Sequence, residues 1–145
     1  MIDRFEKFSY FISELSRHWH KISSDVMNEY GLKGPYSVYF TTLYQYPEGM
    51  TATKLSELCS RDKADVSRAA AIMEQKNLLI KEGASYRASL KLTKEGRAVA
   101  EQIKRRAEAA VEYGGNGLTD EQRENFYYAL EVICNNLHKL SKNGF

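Results

Sequence analysis

Two regular apolar seams, one toward each end of the 145-residue chain, constrain its fold more than any other feature. Toward the N-terminus Phe5, Phe8, Ile12, Leu15, Trp19, Ile22 and Val26 recur at spacings of three and four. Toward the C-terminus Phe126, Leu130, Ile133, Leu137 and Leu140 recur in the same way. This spacing lines apolar side chains along one stripe of a helix, the pattern of helices packed lengthwise against each other. Both seams need partners, and one short chain has few other surfaces to supply them. A homodimer built from both termini is therefore expected, with Phe5, Phe8, Ile12, Leu15, Phe126, Leu130, Ile133 and Leu137 at its interface.

The residues between the seams read as shorter elements. Gly31 supplies a left-handed cap for the first helix. Pro35, at a first helical position, opens a second helix that runs through Val38 and Leu43 until Pro47-Glu48-Gly49 stops it. Thr51 caps a short helix that ends near Ser60, with Met50 and Leu55 placed as a hydrophobic staple. A further helix starts at Arg61 or Asp62, turns Val66, Ala69, Ala70, Ile72 and Met73 inward, and runs to Lys76-Asn77.

Leu78 to Glu82 then reads as a strand, Gly83-Ala84-Ser85-Tyr86 as a turn and Arg87 to Leu92 as the returning strand. In it Ala88, Leu90 and Leu92 alternate with Arg87, Ser89 and Lys91, so one face is apolar and the other basic. Thr93 caps a long polar helix from Lys94 to about Tyr113. Gly114 to Gly117 form a flexible break, and Thr119 with Gln122 makes a capping box for the last helix.

Three helices followed by a two-stranded hairpin is the order of a winged helix-turn-helix. The expected fold is mainly α with a small β-hairpin wing, divided into an N-terminal dimerisation helix (1–34), a winged module (35–92) and C-terminal helices that complete the dimerisation region (93–145). In such a module the third helix enters the major groove of a duplex and the hairpin reaches phosphates or the minor groove.

Charge supports the same reading. From Arg61 to Arg106 the chain carries twelve Lys or Arg against six Asp or Glu, and the remainder carries nine against thirteen. A near-neutral total thus conceals a basic module within an acidic frame, and double-stranded DNA is the expected partner.

These residues resemble the MarR-type transcriptional regulators. The resemblance runs through Thr53-Lys54-Leu55-Ser56-Glu57-Leu58, Asp65-Val66-Ser67-Arg68, Met73-Glu74-Gln75-Lys76-Asn77-Leu78-Leu79 and Leu92-Thr93-Lys94-Glu95-Gly96, in order, and with the flanking helices it covers nearly the whole chain. It implies a homodimer that binds a pseudo-palindromic operator, usually as a repressor released by a small ligand. Carried over by position, Lys63, Ala64, Asp65, Ser67 and Arg68 face the major groove, Thr53 and Lys54 belong to the DNA-binding set, and Arg87 is the wing arginine. The hairpin is shorter than usual, and Arg87 lies one residue closer to Leu92-Thr93. Asp65 replaces a residue that is more often small or hydroxylated, and it can accept a hydrogen bond from a cytosine amino group.

Trp19, Tyr36, Tyr39 and Tyr44, with Tyr46, are candidates to line a pocket for an aromatic or lipophilic effector. The resemblance implies such a pocket between dimerisation helices and winged module. Other chemistry finds little support. There is no glycine-rich phosphate loop, nucleophile elbow or His-carboxylate set, so no enzyme activity and no cofactor are expected. His18 and His20 fall on different sides of a helix, which argues against a metal site. Cys59 and Cys134 form no C-x-x-C pair and are expected as buried, inert thiols. The N-terminal segment lacks the apolar run of a signal peptide or spanning helix, so no membrane partner and a cytoplasmic location are expected. The alternative function is a winged-helix protein-interaction module that binds no specific DNA.

Overall fold

A computed structural model describes residues 3–84 and 87–145. The expected turn residues Ser85 and Tyr86 lie outside the described residues. The elements in order are α1 (Arg4–Glu29), a 3-10 turn (Gly34–Tyr36), α2 (Ser37–Tyr44), β1 (Met50–Thr51), α3 (Ala52–Cys59), α4 (Lys63–Gln75), β2 (Leu79–Glu82), β3 (Ser89–Leu92), α5 (Lys94–Gly114) and α6 (Asp120–Asn143). They fall into two compact units, Met1–Glu108 and Ala109–Phe145.

In the first unit, local signals fix where helices stop. The Gly31 N–H donates to the Asn28 carbonyl at 3.1 Å and the Leu32 N–H to Met27 at 2.9 Å, with Gly31 at φ +67°, a Schellman closure of α1. Helix α4 closes in the same way. Asn77 takes φ +62°, its N–H donates to Glu74 at 3.0 Å, and the Leu78 N–H donates to Met73 at 2.9 Å. Both chain exits then feed apolar residues, Leu32 and Leu78, directly into the core.

The core joins the last turn of α1 (Val26, Met27) to Tyr39, Phe40 and Leu43 of α2, Leu55 of α3, Val66 and Met73 of α4, Leu79 and Leu90 of the sheet, and Val99 of α5. The N-terminal seam is thus inward only at its end. Ile22 is half-buried and Val26 buried, whereas Phe5, Phe8, Ile12, Leu15 and Trp19 are exposed.

The sheet has three antiparallel strands in the order β1-β3-β2, one more than the expected hairpin. Met50 pairs with Leu90 and Thr51 with Ser89, while Leu79 to Glu82 pair with Leu92 to Ser89. The extra strand has only two residues and is specified by a partner some forty positions away, so no local periodicity announces it. Thr51 ends this strand and also caps α3, accepting from the Lys54 N–H at 3.2 Å. Gly49 permits the approach, since a Cβ there would sit 2.9 Å from the Leu90 carbonyl oxygen and 2.3 Å from Ser89 Oγ.

In the second unit, Thr119 and Gln122 form the expected reciprocal capping box, with bonds of 3.2 and 2.9 Å. The Gly114 to Gly117 break is braced by Arg123, which donates to the Gly115 carbonyl at 2.9 Å and pairs with Glu112 at 3.4 Å. Helix α6 contains no buried residue. Phe126, Tyr127, Tyr128, Val132 and Leu137 are exposed, and Leu130, Ile133 and Leu140 half-buried.

No helix among the described residues is long and apolar enough to cross a membrane. None of the described His, Cys, Asp and Glu residues form a group of three or more suited to hold a metal ion.

Candidate nucleic-acid interface

Helix α4 has one face in the core and one facing outward. Val66, Ala69, Ala70 and Met73 are buried, so helical geometry turns Lys63, Ala64, Ser67 and Arg68 to solvent as a contiguous stripe. Its start is well defined. Asp62 caps it by accepting from the Ala64 N–H at 3.4 Å.

The structure gathers several of the predicted DNA-binding residues. Thr53 and Lys54 stand exposed on the first turn of α3. A notch of about 90 Å³ between α3, α4 and the hairpin is lined by Thr53, Lys63, Ser67 and Lys81, with Ala52, Ala70, Ala88 and Leu90 as its apolar floor. Lys81, on β2, was not among the leading candidates in the sequence. Its placement depends on strand pairing, which carries it beside α4. It also pairs with Glu74 at 3.8 Å.

Arg87 is exposed just before β3, and its backbone N–H donates to Ala84 at 2.9 Å. On the hairpin, Lys91 pairs with Glu82 at 3.5 Å. Both this pair and that of Lys81 are partly exposed and contribute little to stability.

Asp65 behaves differently from its neighbours. It sits in the first turn of α4 and is half-buried, and its Oδ2 accepts a hydrogen bond from the Tyr39 hydroxyl of α2. Its Oδ1 lies 3.7 Å from an Arg68 guanidinium nitrogen. Tyr39 itself is buried. Burial first, and the hydrogen bond to Asp65 next, push its phenol well above the ordinary tyrosine value.

Of the five aromatic pocket candidates Tyr46 is exposed, and the other four divide between two locations. Trp19 and Tyr44 line a cavity of about 640 Å³, together with Ser23, Ser37, Val38, Thr41, Gln45, Ala100, Ile103, Lys104 and Ala107. Tyr36 and Tyr39 instead pack in the core, their rings 6.0 Å apart. Helix α2 explains the separation, because residues 37, 38, 41, 44 and 45 share one face while 36, 39, 40 and 43 share the other. Since tyrosines fall on both faces, the sequence could not sort them. Tyr44 is fixed by its hydroxyl bond to Glu101 at 3.2 Å and by the Arg97 guanidinium 4.5 Å above its ring.

The thiols also differ from expectation. Cys134 is exposed, and Cys59 is half-buried with its Sγ 3.4 Å from Thr42 Oγ1. Leu58, next to Cys59 on α3, is exposed.

Three helices, the third of them buried along one face, and a strand-paired hairpin define a winged helix-turn-helix fold. Its fold is that of the MarR transcriptional regulators. A MarR regulator from Methanosarcina mazei Go1 superposes with a TM-score of 0.80 at 21% identity, over 97% of this chain and 94% of that one. A MarR family regulator from Listeria monocytogenes, solved in complex with a 26mer DNA, gives 0.76 at 22% identity over 99% and 97%. MepR, a transcription regulator of the Staphylococcus aureus multidrug efflux pump MepA, gives 0.72 at 17% identity over 90% and 98%. No protein-family model and no curated protein matches the sequence.

Proposed function

We infer that this chain is a DNA-binding transcriptional regulator of MarR type, acting as a homodimer on a pseudo-palindromic operator. The observation that carries this reading is the outward stripe of α4, where Lys63, Ala64, Ser67 and Arg68 stand exposed above a buried opposite face, with Thr53 and Lys81 beside it. A duplex groove admits one such helix, and cationic side chains at its rim supply phosphate affinity. A solved neighbour of the same fold holds a 26mer DNA, which supports the assignment.

The dimer reading rests on exposure. Phe5, Phe8, Ile12 and Leu15 on α1, and Phe126 and Leu137 on α6, keep between 43% and 73% of their surface accessible, more contiguous apolar stripe than a lone soluble chain usually shows. Pairing two copies covers both stripes and sets two recognition helices about one duplex turn apart.

The cavity beside Trp19 supports a ligand-responsive repressor. Its volume of about 640 Å³ suits a small molecule, and its apolar wall carries a few polar groups, Ser23, Thr41, Gln45 and Lys104. The occupant is an aromatic or lipophilic effector that favours a head arrangement unfit for the operator. Trp19 is the sole tryptophan, so its emission reports binding directly. A saturable change in Trp19 emission with an aromatic ligand, together with release of bound duplex, is expected. A screen in which every ligand that releases DNA leaves the emission unchanged rules this cavity out.

The experiment for the function as a whole is titration of a duplex from the chain's own promoter region. Retardation at low salt is expected, and Arg68→Ala should weaken specific binding by about 1 to 3 kcal/mol. Unchanged affinity removes Arg68 from the contacts, and no retardation by the unaltered protein removes the function.

A further inference from the structure

Asp65 poses a problem for a DNA-reading helix. A carboxylate in the first turn of α4 is well placed against the helix dipole, but it faces a polyanion. Two contacts resolve the conflict. Tyr39 reaches across from α2 to donate its hydroxyl to Asp65 Oδ2, and Arg68, one turn further along α4, lies 3.7 Å from Oδ1. The carboxylate is thus drawn toward the protein, while its outer oxygen faces an arginine side chain that is 66% exposed.

We propose that Tyr39 is a positioning residue for DNA recognition, which anchors Asp65 so that its free oxygen aims the Arg68 guanidinium at a base edge. This rests on the DNA-binding reading and adds a residue to it that touches no DNA. The chemistry favours the arrangement. Arginine reads guanine through two parallel donors, so its value depends on the angle at which the planar group is presented. A long exposed side chain left alone samples many rotamers, and fixing it before binding removes that entropy from the cost of recognition. An isolated pair three residues apart on a helix holds an arginine only weakly. Tyr39 makes the difference by immobilising the carboxylate, since its own ring is buried and cannot follow solvent.

The anchor also explains why α2 matters to the interface without lying on it. Tyr39 sits on the core face of α2, opposite Ser37, Val38, Thr41 and Tyr44 at the cavity wall.

The test compares the unaltered protein with Tyr39→Phe, Asp65→Asn and Arg68→Ala on the promoter duplex and on a scrambled duplex of equal length. Tyr39→Phe should lower the preference for the promoter duplex several-fold and leave scrambled binding and its salt dependence unchanged. Asp65→Asn retains an acceptor for the phenol but loses the charge that attracts Arg68, so its preference should fall by a similar factor. Combined with Arg68→Ala, Tyr39→Phe should have no further effect.

An unchanged preference in Tyr39→Phe, equal weakening on both duplexes, or an effect that persists without Arg68 would each overturn the proposal. A second readout needs no DNA. The NMR order parameter of the Arg68 Nε–H should drop in Tyr39→Phe, and an unchanged value overturns the proposal even if the protein binds no duplex. Failure of the unaltered protein to bind any duplex, with the order parameter falling as expected, instead locates the error in the DNA-binding reading.

Discussion

At Gly96, in the first turn of α5, a Cβ would lie 2.0 Å from the Leu78 carbonyl oxygen. That carbonyl already accepts the Thr93 N–H at 3.1 Å, and the Thr93 hydroxyl donates to Asn77 at 2.7 Å while accepting from the Gly96 N–H at 3.0 Å. One glycine therefore lets the exit of α4, the end of the hairpin and the start of α5 meet within a few ångströms. Gly96→Ala gains about 1 kcal/mol of helix propensity. It must also push backbone aside, which costs about 1 to 3 kcal/mol or more in a packed site. We expect net destabilisation, seen as a lower urea midpoint at unchanged slope, and a variant as stable as the unaltered protein would contradict this packing. Thr93-Lys94-Glu95-Gly96 is legible in the sequence as a cap followed by a glycine. The Leu78 carbonyl that makes the glycine necessary is not, because it arrives through tertiary packing. Tyr39 and Asp65, twenty-six positions apart, escape sequence reading for the same reason.

Among the elements, α1 and α6 carry signals that were strongest in the sequence. Their three-and-four spacing requires only the helical repeat, so both helices are predicted within a few residues of their observed limits. What each seam packs against is a different matter. Val26 shows that the α1 seam ends inside its own core, whereas Leu15, three turns earlier, is 55% exposed. Replacing Leu15 with Lys should therefore leave the core and the fold intact while opposing self-association. Sedimentation equilibrium is expected to give twice the chain mass of 16.6 kDa for the unaltered protein and the single mass for Leu15→Lys. A dimer that survives this substitution with undiminished affinity would take Leu15 out of the interface. The two-residue β1 lies at the other extreme. It adds the third strand to the sheet but is too short to carry a periodicity of its own, and only its function as the cap of α3 shows in the sequence.

For the whole molecule, the separation of charge has become a separation of structure. The basic stretch from Arg61 to Arg106 comprises α4, the hairpin and most of α5, and its cations serve different ends. Lys63 and Arg68 line the outward stripe of α4 and Lys81 joins Lys63 at the notch, whereas Arg97 covers Tyr44 and Arg106 pairs with Glu29 at 2.5 Å. In Glu29 the bond to Arg106 and then that to Gln102 hold the carboxyl below the usual glutamate range. Composition counted these residues equally, and only the fold separates those exposed on α4 and the hairpin from those that tie α1 and α2 to α5.

If the exposed cations of α4 bind the phosphates of a duplex, the affinity must depend on salt. The decisive measurement is the affinity for the promoter duplex as a function of salt. The logarithm of the binding constant should fall linearly and steeply with the logarithm of salt concentration, and Lys63→Ala should make the slope shallower by about one. A binding constant that does not change with salt would exclude phosphate binding, and a slope that Lys63→Ala leaves untouched would exclude Lys63 from it.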